Sequence, residues 1–419
     1  MPAHVTARRA DGRGRLNRRL APRPLAAHLA TAMVLWSGSR AVLSVVKDAA
    51  LHSGRAGEHL PGFAAETDAL ESNDLAGTLD LEIARRATSY FTGLEAYRRH
   101  PYRRRRERAA VLWRKGTTRL LDYGGGATGP VVLVVPSLIN RFYVLDLLPE
   151  RSFLRYLAER GLRPLVVDWG APGGEERDFN LTDYVARRLE GAFDAALRLA
   201  GGRIGVAGYC MGGLFALALA LRRRDETACL ALLATPWDFH AEYAQPARFF
   251  GLIADYLPLL CDEQNTLPVD VIQCLFFMLD PLTAERKFTR FAGLDPDGDE
   301  ARAFVALEDW VNDGVPLTVA AAGDCARSWY GDNEPARGQW QIAGERVNPK
   351  LLRLPALVVV PSRDRIVPPN SAEPLAAELG GATVLRPPLG HVGMMSAARA
   401  PEILWTAIAD WLRARLDPR

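Results

Sequence analysis

The strongest chemical signal in this chain is the box Gly208-Tyr209-Cys210-Met211-Gly212-Gly213. It follows a short strand-like run, Ile204-Gly205-Val206-Ala207, and precedes an apolar helix-like run, Leu214 to Leu219. Strand, glycine-flanked turn and helix predict a sharp bend with Cys210 at its apex, a nucleophile elbow. Side chains at 208 and 212 would collide with backbone in so tight a bend, which is why both positions are glycine. The helix start aims free amides and the positive end of its dipole at the apex, favouring a thiolate and a developing oxyanion. Cysteine there points to covalent catalysis; the plain alternative is a small buried cysteine in an ordinary turn.

A nucleophile needs a base, and the base needs an orienting group. After the strand-like run Ala356–Val360 comes Pro361-Ser362-Arg363-Asp364-Arg365-Ile366-Val367-Pro368, and after Ala382–Leu385 comes Leu389-Gly390-His391-Val392-Gly393. Four of the seven histidines (4, 28, 52, 59) fall in the first 60 residues, His100 in an arginine cluster and His240 at the start of an aromatic-rich stretch. His391 is therefore the expected base. Asp364 is the expected orienter, with Asp238 in Ala234-Thr235-Pro236-Trp237-Asp238-Phe239 as its competitor; Asp168, ending an earlier strand, reads as structural. Backbone amides of Met211 and of Leu138, in the loop Pro136-Ser137-Leu138-Ile139-Asn140, are the expected oxyanion hole.

Positioning these groups requires a sheet. Runs such as Val131–Val135, Leu165–Asp168, Ile204–Ala207 and Cys229–Leu233 are apolar without alternation, as in parallel strands covered on both faces. Helix-length segments at about 146–159, 181–199 and 212–223 lie between them, and a final helix is expected at roughly 401–415. The fold class is α/β, a mostly parallel, doubly wound sheet. Residues 236–350 break the rhythm, are rich in aromatics and have few strand-like runs; they read as a helical cap inserted over the carboxyl edge of the sheet. The expected organisation is a disordered basic tail over 1–24, a helical N-terminal region over 25–110, a catalytic core over 111–235 and 351–419, and the cap over 236–350.

At these residues the chain resembles the poly(3-hydroxyalkanoate) synthases, acyltransferases of the α/β-hydrolase fold with a cysteine nucleophile. The resemblance rests on Val134-Val135-Pro136-Ser137-Leu138-Ile139-Asn140-Arg141-Phe142-Tyr143-Val144-Leu145-Asp146-Leu147, similar to the family's Pro-Pro-x-Ile-Asn-Lys-Tyr-Tyr-Ile-Leu-Asp-Leu. The Gly208–Gly213 box, Asp364-Arg365-Ile366-Val367-Pro368 and Gly390-His391-Val392-Gly393 complete it, over roughly 105–415. It implies Cys210 as the acyl-accepting thiolate, His391 as base and Asp364 as orienter. The implied substrate is a 3-hydroxyacyl-CoA and the product a polyester, with release of CoA. The CoA thioester is substrate, and no cofactor or metal is implied. Where the family often has histidine after the aspartate, this chain has Arg365. A polymer granule, a homodimer or a second synthase subunit are the partners the resemblance leaves open.

Composition narrows the alternatives. With 48% hydrophobic and 24% charged residues the chain is globular. Its cysteines, at 210, 229, 261, 274 and 325, form no Cys-x-x-Cys pair, against a zinc or iron–sulfur framework. The net charge of +3 hides two arginine runs, over 1–24 and 98–108, on an otherwise acidic body. That distribution does not suit nucleic acid; the second run could meet CoA phosphates, a granule surface or solvent only. Residues Leu25 to Trp36 imitate a signal peptide but include His28 and continue past Arg40 as an amphipathic helix would. No uncharged apolar run reaches the roughly 20 residues of a spanning helix. A cytoplasmic or granule-associated location is expected. Two rival readings are a cysteine hydrolase, thioesterase or dienelactone-hydrolase-like, and a non-catalytic synthase-like subunit. The long stretch between Cys210 and Asp364 disfavours the compact dienelactone hydrolases, and the intact Cys210, Asp364 and His391 disfavour lost chemistry.

Overall fold

A computed structural model describes residues 19, 22–52, 72–105, 109–126, 128–242 and 244–417. The chain divides into two units, residues 1–102 with 280–305 and residues 103–279 with 306–419.

The first unit contains helices α1 (Leu25–His52) and α2 (Ser72–Arg99) and a helix over Thr283–Phe291. Tyr90, Leu94 and Tyr97 of α2 share a buried cluster with Phe288, Phe291 and Val305. Gly93 lets the backbone of Phe288 approach so closely that a Cβ would strike its carbonyl oxygen. The expected cap is therefore not a single insertion: residues 280–305 pack with the N-terminal helices, because their apolar face matches that of α2. The disordered tail expected over 1–24 lies mostly outside the described residues. Within it, Arg19 is buried and donates to the carbonyls of His100 and Tyr102. Among the described residues no helix is long and apolar enough to cross a membrane.

The second unit is built on an eight-stranded sheet: β1 (Ala110–Lys115), β2 (Thr118–Asp122), β3 (Val131–Val135), β4 (Arg163–Asp168), β5 (Ile204–Tyr209), β6 (Thr227–Leu233), β7 (Ala356–Val359) and β8 (Thr383–Leu385), in the order β1-β2-β4-β3-β5-β6-β7-β8. Pairing from β4 through β8 is parallel. Every residue of β3 and β5 is buried, the consequence of covering both faces with helices. Helices α3 (Glu190–Ala200) and α4 (Met211–Arg222) belong to this layer, and α4 is buried on all sides from Met211 to Leu221.

The strand-like runs from 131 onward become strands. The antiparallel β1–β2 hairpin was not anticipated, since β1 is mostly exposed and its sequence mixes charge with apolar residues. The helix expected at about 146–159 is confined to Phe153–Glu159. Pro149 interrupts the earlier part, which forms a two-stranded turn, Asp146–Leu148 against Arg151–Ser152; the Ser152 side chain then caps the helix by accepting from the Arg155 amide at 3.2 Å.

The elbow depends on backbone closeness. A Cβ on Gly208 would lie 2.5 Å from the Cα of Gly213, and one on Gly212 would collide with the carbonyl oxygens of Val135 and Pro136. Gly212→Ala therefore forces β3 and α4 apart. We expect it to cost about 3 kcal/mol, from overpacking against backbone that cannot yield, read as a lower denaturation midpoint.

Candidate active site

Cys210 sits between β5 and α4 at φ 56° and ψ −130°, a conformation that L residues rarely adopt. The bend is held by two bonds: its amide donates to the Leu233 carbonyl at 2.8 Å, and the Gly213 amide donates to its own carbonyl at 2.8 Å. The conformation costs of order 1–3 kcal/mol, and such strain clusters where a side chain must be presented to a ligand. Cys210 is half-buried and faces a narrow pocket. Pro136, Ser137, Asn140, Arg141, Trp310 and His391 are among the residues that form its walls.

Asp364 and His391 come from the turns after β7 and β8. Asp364, 4% exposed, has one carboxylate oxygen occupied: Oδ1 accepts from the amides of Ile366 and Val367, each at 2.8 Å. Its Oδ2 lies 2.7 Å from Nδ1 of His391, itself 8% exposed. With Nδ1 engaged, the other ring nitrogen remains available, and His391 and Cys210 line the same pocket. Burial by itself would lower the His391 pKa. The charge on Cys210, with the hydrogen bond to Asp364 and its charge, outweighs it and pushes the pKa up to about 10.

Further hydrogen bonds fix the histidine loop and the loop after β3. The buried Tyr209 hydroxyl donates to the His391 carbonyl at 3.0 Å, and the two rings lie 5.2 Å apart. Burial, with the charges of Cys210 and Asp364, holds the Tyr209 phenol far above its ordinary pKa, so it remains a donor. The buried Trp169 indole N–H donates to the Pro136 carbonyl at 3.0 Å. The Val315 amide donates to Ile139 at 3.0 Å, and Trp310 Nε1 donates to Arg141 at 2.8 Å, so residues of the expected cap brace this loop.

The other expected residues are placed as follows. Asp238 accepts from the His240 amide at 2.8 Å and from Asn333 Nδ2 at 2.9 Å, which ties its Oδ1 to the 239–333 region. Asp168 pairs with Arg119 and accepts from the Gly170 amide at 3.2 Å. Met211 is the first residue of α4, directly after Cys210. Leu138 is 2% exposed and packs in the hydrophobic core, while Pro136 and Ser137 from the same loop reach the pocket wall. Arg365 is exposed, and the bonds to Asp364 Oδ1 come from the backbone amides of 366 and 367, so the residue at 365 can vary without disturbing them. In the second arginine run, Arg98 and Arg99 pair with Glu95, and Arg104 pairs with the buried Asp146, which Arg155 and Tyr123 also bind. Among the described residues no cluster of His, Cys, Asp or Glu could hold a metal ion. The sequence reading overlooked Tyr209, Trp169 and Ser137; only the position of Tyr209 beside the nucleophile hinted at a role.

A sequence-family profile described as the alpha/beta hydrolase fold matches residues 130–398. The poly(3-hydroxyalkanoate) polymerase subunit PhaC of Haloferax mediterranei is 27% identical over 317 residues, which is 73% of this chain and 64% of that protein. That of Synechocystis sp. is 30% identical over 296 residues, 68% of this chain and 78% of that protein. Among solved structures, a putative non-heme bromoperoxidase from Mycobacterium tuberculosis aligns with a TM-score of 0.46 at 16% identity, over 74% of this chain and 99% of that one. The chain belongs to the α/β-hydrolase fold family and, within it, to the family of poly(3-hydroxyalkanoate) polymerase subunit PhaC.

Proposed function

We propose that this protein polymerises 3-hydroxyacyl-CoA into polyhydroxyalkanoate, releasing CoA, through an acyl group held on Cys210. The observation that carries this reading is the placement of a strained cysteine beside a histidine whose far nitrogen is bonded to a buried carboxylate, in a chain of this family.

The sulfur of Cys210 attacks the thioester carbonyl and forms the new C–S bond, while the carbonyl electron pair moves onto oxygen. Collapse breaks the bond to the CoA sulfur, which leaves with the proton of the His391 imidazolium. One thioester replaces another, so the step is close to thermoneutral. Asp364 keeps the ring oriented and stabilises its positive charge. In the second half-reaction a hydroxyl at the end of a chain or of a second monomer attacks the acyl-cysteine and His391 takes its proton; the C–S bond breaks, the ester forms, and Cys210 leaves as thiolate beside the imidazolium. The amide of Met211, at the start of α4, and a backbone amide at Leu138 supply oxyanion donors. Hydrolysis competes at this stage, and the narrow pocket braced by Trp310 limits access of water.

The test is incubation of purified protein with 3-hydroxybutyryl-CoA, following free CoA and turbidity together. Release of both CoA and insoluble polyester supports the reading, whereas CoA with free 3-hydroxybutyrate and no polymer makes the protein a thioesterase. Asp238→Asn discriminates between the two candidate acids. It keeps the Oδ1 acceptor used by His240 and Asn333, so the rate of CoA release should stay at the wild-type value.

A further inference from the structure

Ser137 occupies an unusual position. It is 6% exposed, and its hydroxyl oxygen is buried without a hydrogen-bond partner. A hydroxyl in that state is disfavoured relative to one that is bonded, and folded proteins retain few of them. Of the residues with a buried side-chain atom in this condition among the described residues, Ser137 is the one that forms part of a wall of the Cys210 pocket.

Sheet register explains the placement. Val135 of β3 is paired with Gly208 of the parallel β5. Two residues further along each strand, beyond the carboxyl edge of the sheet, are Ser137 and Cys210. The loop has little freedom to carry Ser137 elsewhere. The Pro136 carbonyl is bonded by Trp169, Gly212 packs directly against the carbonyls of Val135 and Pro136, and the Ile139 carbonyl is bonded by Val315. A rigid loop thus holds an unsatisfied donor beside the nucleophile.

We propose that the Ser137 hydroxyl is a catalytic oxyanion donor, which hydrogen-bonds the acyl carbonyl oxygen while Cys210 is being acylated. This rests on the acyl-cysteine reading above. As the Cys210 sulfur bonds to the carbonyl carbon and the π pair moves to oxygen, Ser137 O–H donates a hydrogen bond and keeps its proton. When the tetrahedral species collapses, the pair returns to reform the carbonyl and the CoA sulfur departs with the His391 proton. The hydroxyl gains its partner as negative charge develops, so the interaction is stronger in the transition state than before substrate arrives.

The experiment compares wild type, Ser137→Ala and Ser137→Thr in full-length protein. It measures the rate of Cys210 acylation by 3-hydroxybutyryl-CoA using rapid quench and intact mass, together with KM and Tm. Ser137→Ala should slow acylation by roughly 10²-fold with little change in KM. Its Tm should hold or rise, because an unsatisfied buried hydroxyl has been removed. Ser137→Thr, which keeps the hydroxyl, should recover most of the rate. A Ser137→Ala protein that acylates at the wild-type rate overturns the assignment. So does one that loses rate and Tm together, since that is the behaviour of a structural residue. A wild type that never forms the acyl-enzyme overturns the proposed function, and this assignment with it, before any variant is compared.

Discussion

Cys210→Ala is expected to lower CoA release from 3-hydroxybutyryl-CoA by at least about 10⁴-fold, since in the proposed mechanism it removes the nucleophile and leaves only binding and the oxyanion donors to assist background chemistry. The loss corresponds to more than about 5 kcal/mol of transition-state stabilisation. Misfolding is separable from lost chemistry by a second substitution. Cys210 is held at φ 56° and ψ −130°, and glycine occupies such a region with far less strain. Cys210→Gly should be equally inactive and more stable than wild type, by about 1 kcal/mol or more. An inactive protein of raised stability identifies the strain as a feature retained for function. Chemical denaturation alongside the CoA assay reads both effects.

The second large effect is expected from Asp364→Asn, a loss of roughly 10³–10⁴-fold in turnover. The reason lies in how the carboxylate is tethered. Oδ1 is held by the amides of Ile366 and Val367 at 2.8 Å, so an asparagine there keeps its oxygen on those donors and turns its NH₂ toward Nδ1 of His391. A donor in that place makes Nδ1 an acceptor and puts the ring proton on the nitrogen facing Cys210. That tautomer cannot take the thiol proton. The substitution also removes the hydrogen bond and charge that help raise the His391 pKa, so the histidine should lose its proton at lower pH than the wild-type value of about 10.

The sign for stability follows from linkage. The folded pKa of His391 lies above its ordinary value of 6.5, so the imidazolium's interactions stabilise the fold fully below about pH 6.5. That contribution disappears as the pH rises through about 10. In Asp364→Asn it should be smaller and vanish at lower pH. Thermal denaturation of wild type and variant from pH 6 to 10.5 checks this. A constant difference across that range contradicts the pairing.

Legibility followed burial. β3 and β5 read as strands because covering both faces makes their sequence continuously apolar, and no helix-length run competes. The β1–β2 hairpin escaped for the opposite reason: an exposed edge needs no apolar pattern, and Trp113 lies among Arg114, Lys115 and Arg119. The 280–305 segment was assigned to a cap by chain position, yet the aromatic face carrying Phe288 and Phe291 pairs with α2, and sequence gives no direct measure of which apolar faces meet. Cys210, Asp364 and His391 could be singled out because each follows a recognisable strand in a glycine- or proline-marked turn. Tyr209, Trp169 and Ser137 could not, because their contacts join residues far apart in the chain: Tyr209 with His391, Trp169 with Pro136, and Ser137 with the pocket beside Cys210.

The central claim is that substrate becomes covalently attached to one sulfur. Wild-type protein mixed briefly with 3-hydroxybutyryl-CoA, quenched in acid and digested should yield the peptide containing Cys210 heavier by one 3-hydroxybutyryl unit or a short oligomer of it. The modification should disappear on treatment with neutral hydroxylamine, as a thioester does. Steady release of CoA with the Cys210 peptide unmodified at every time point, or an adduct that persists in Cys210→Ala, would contradict the account.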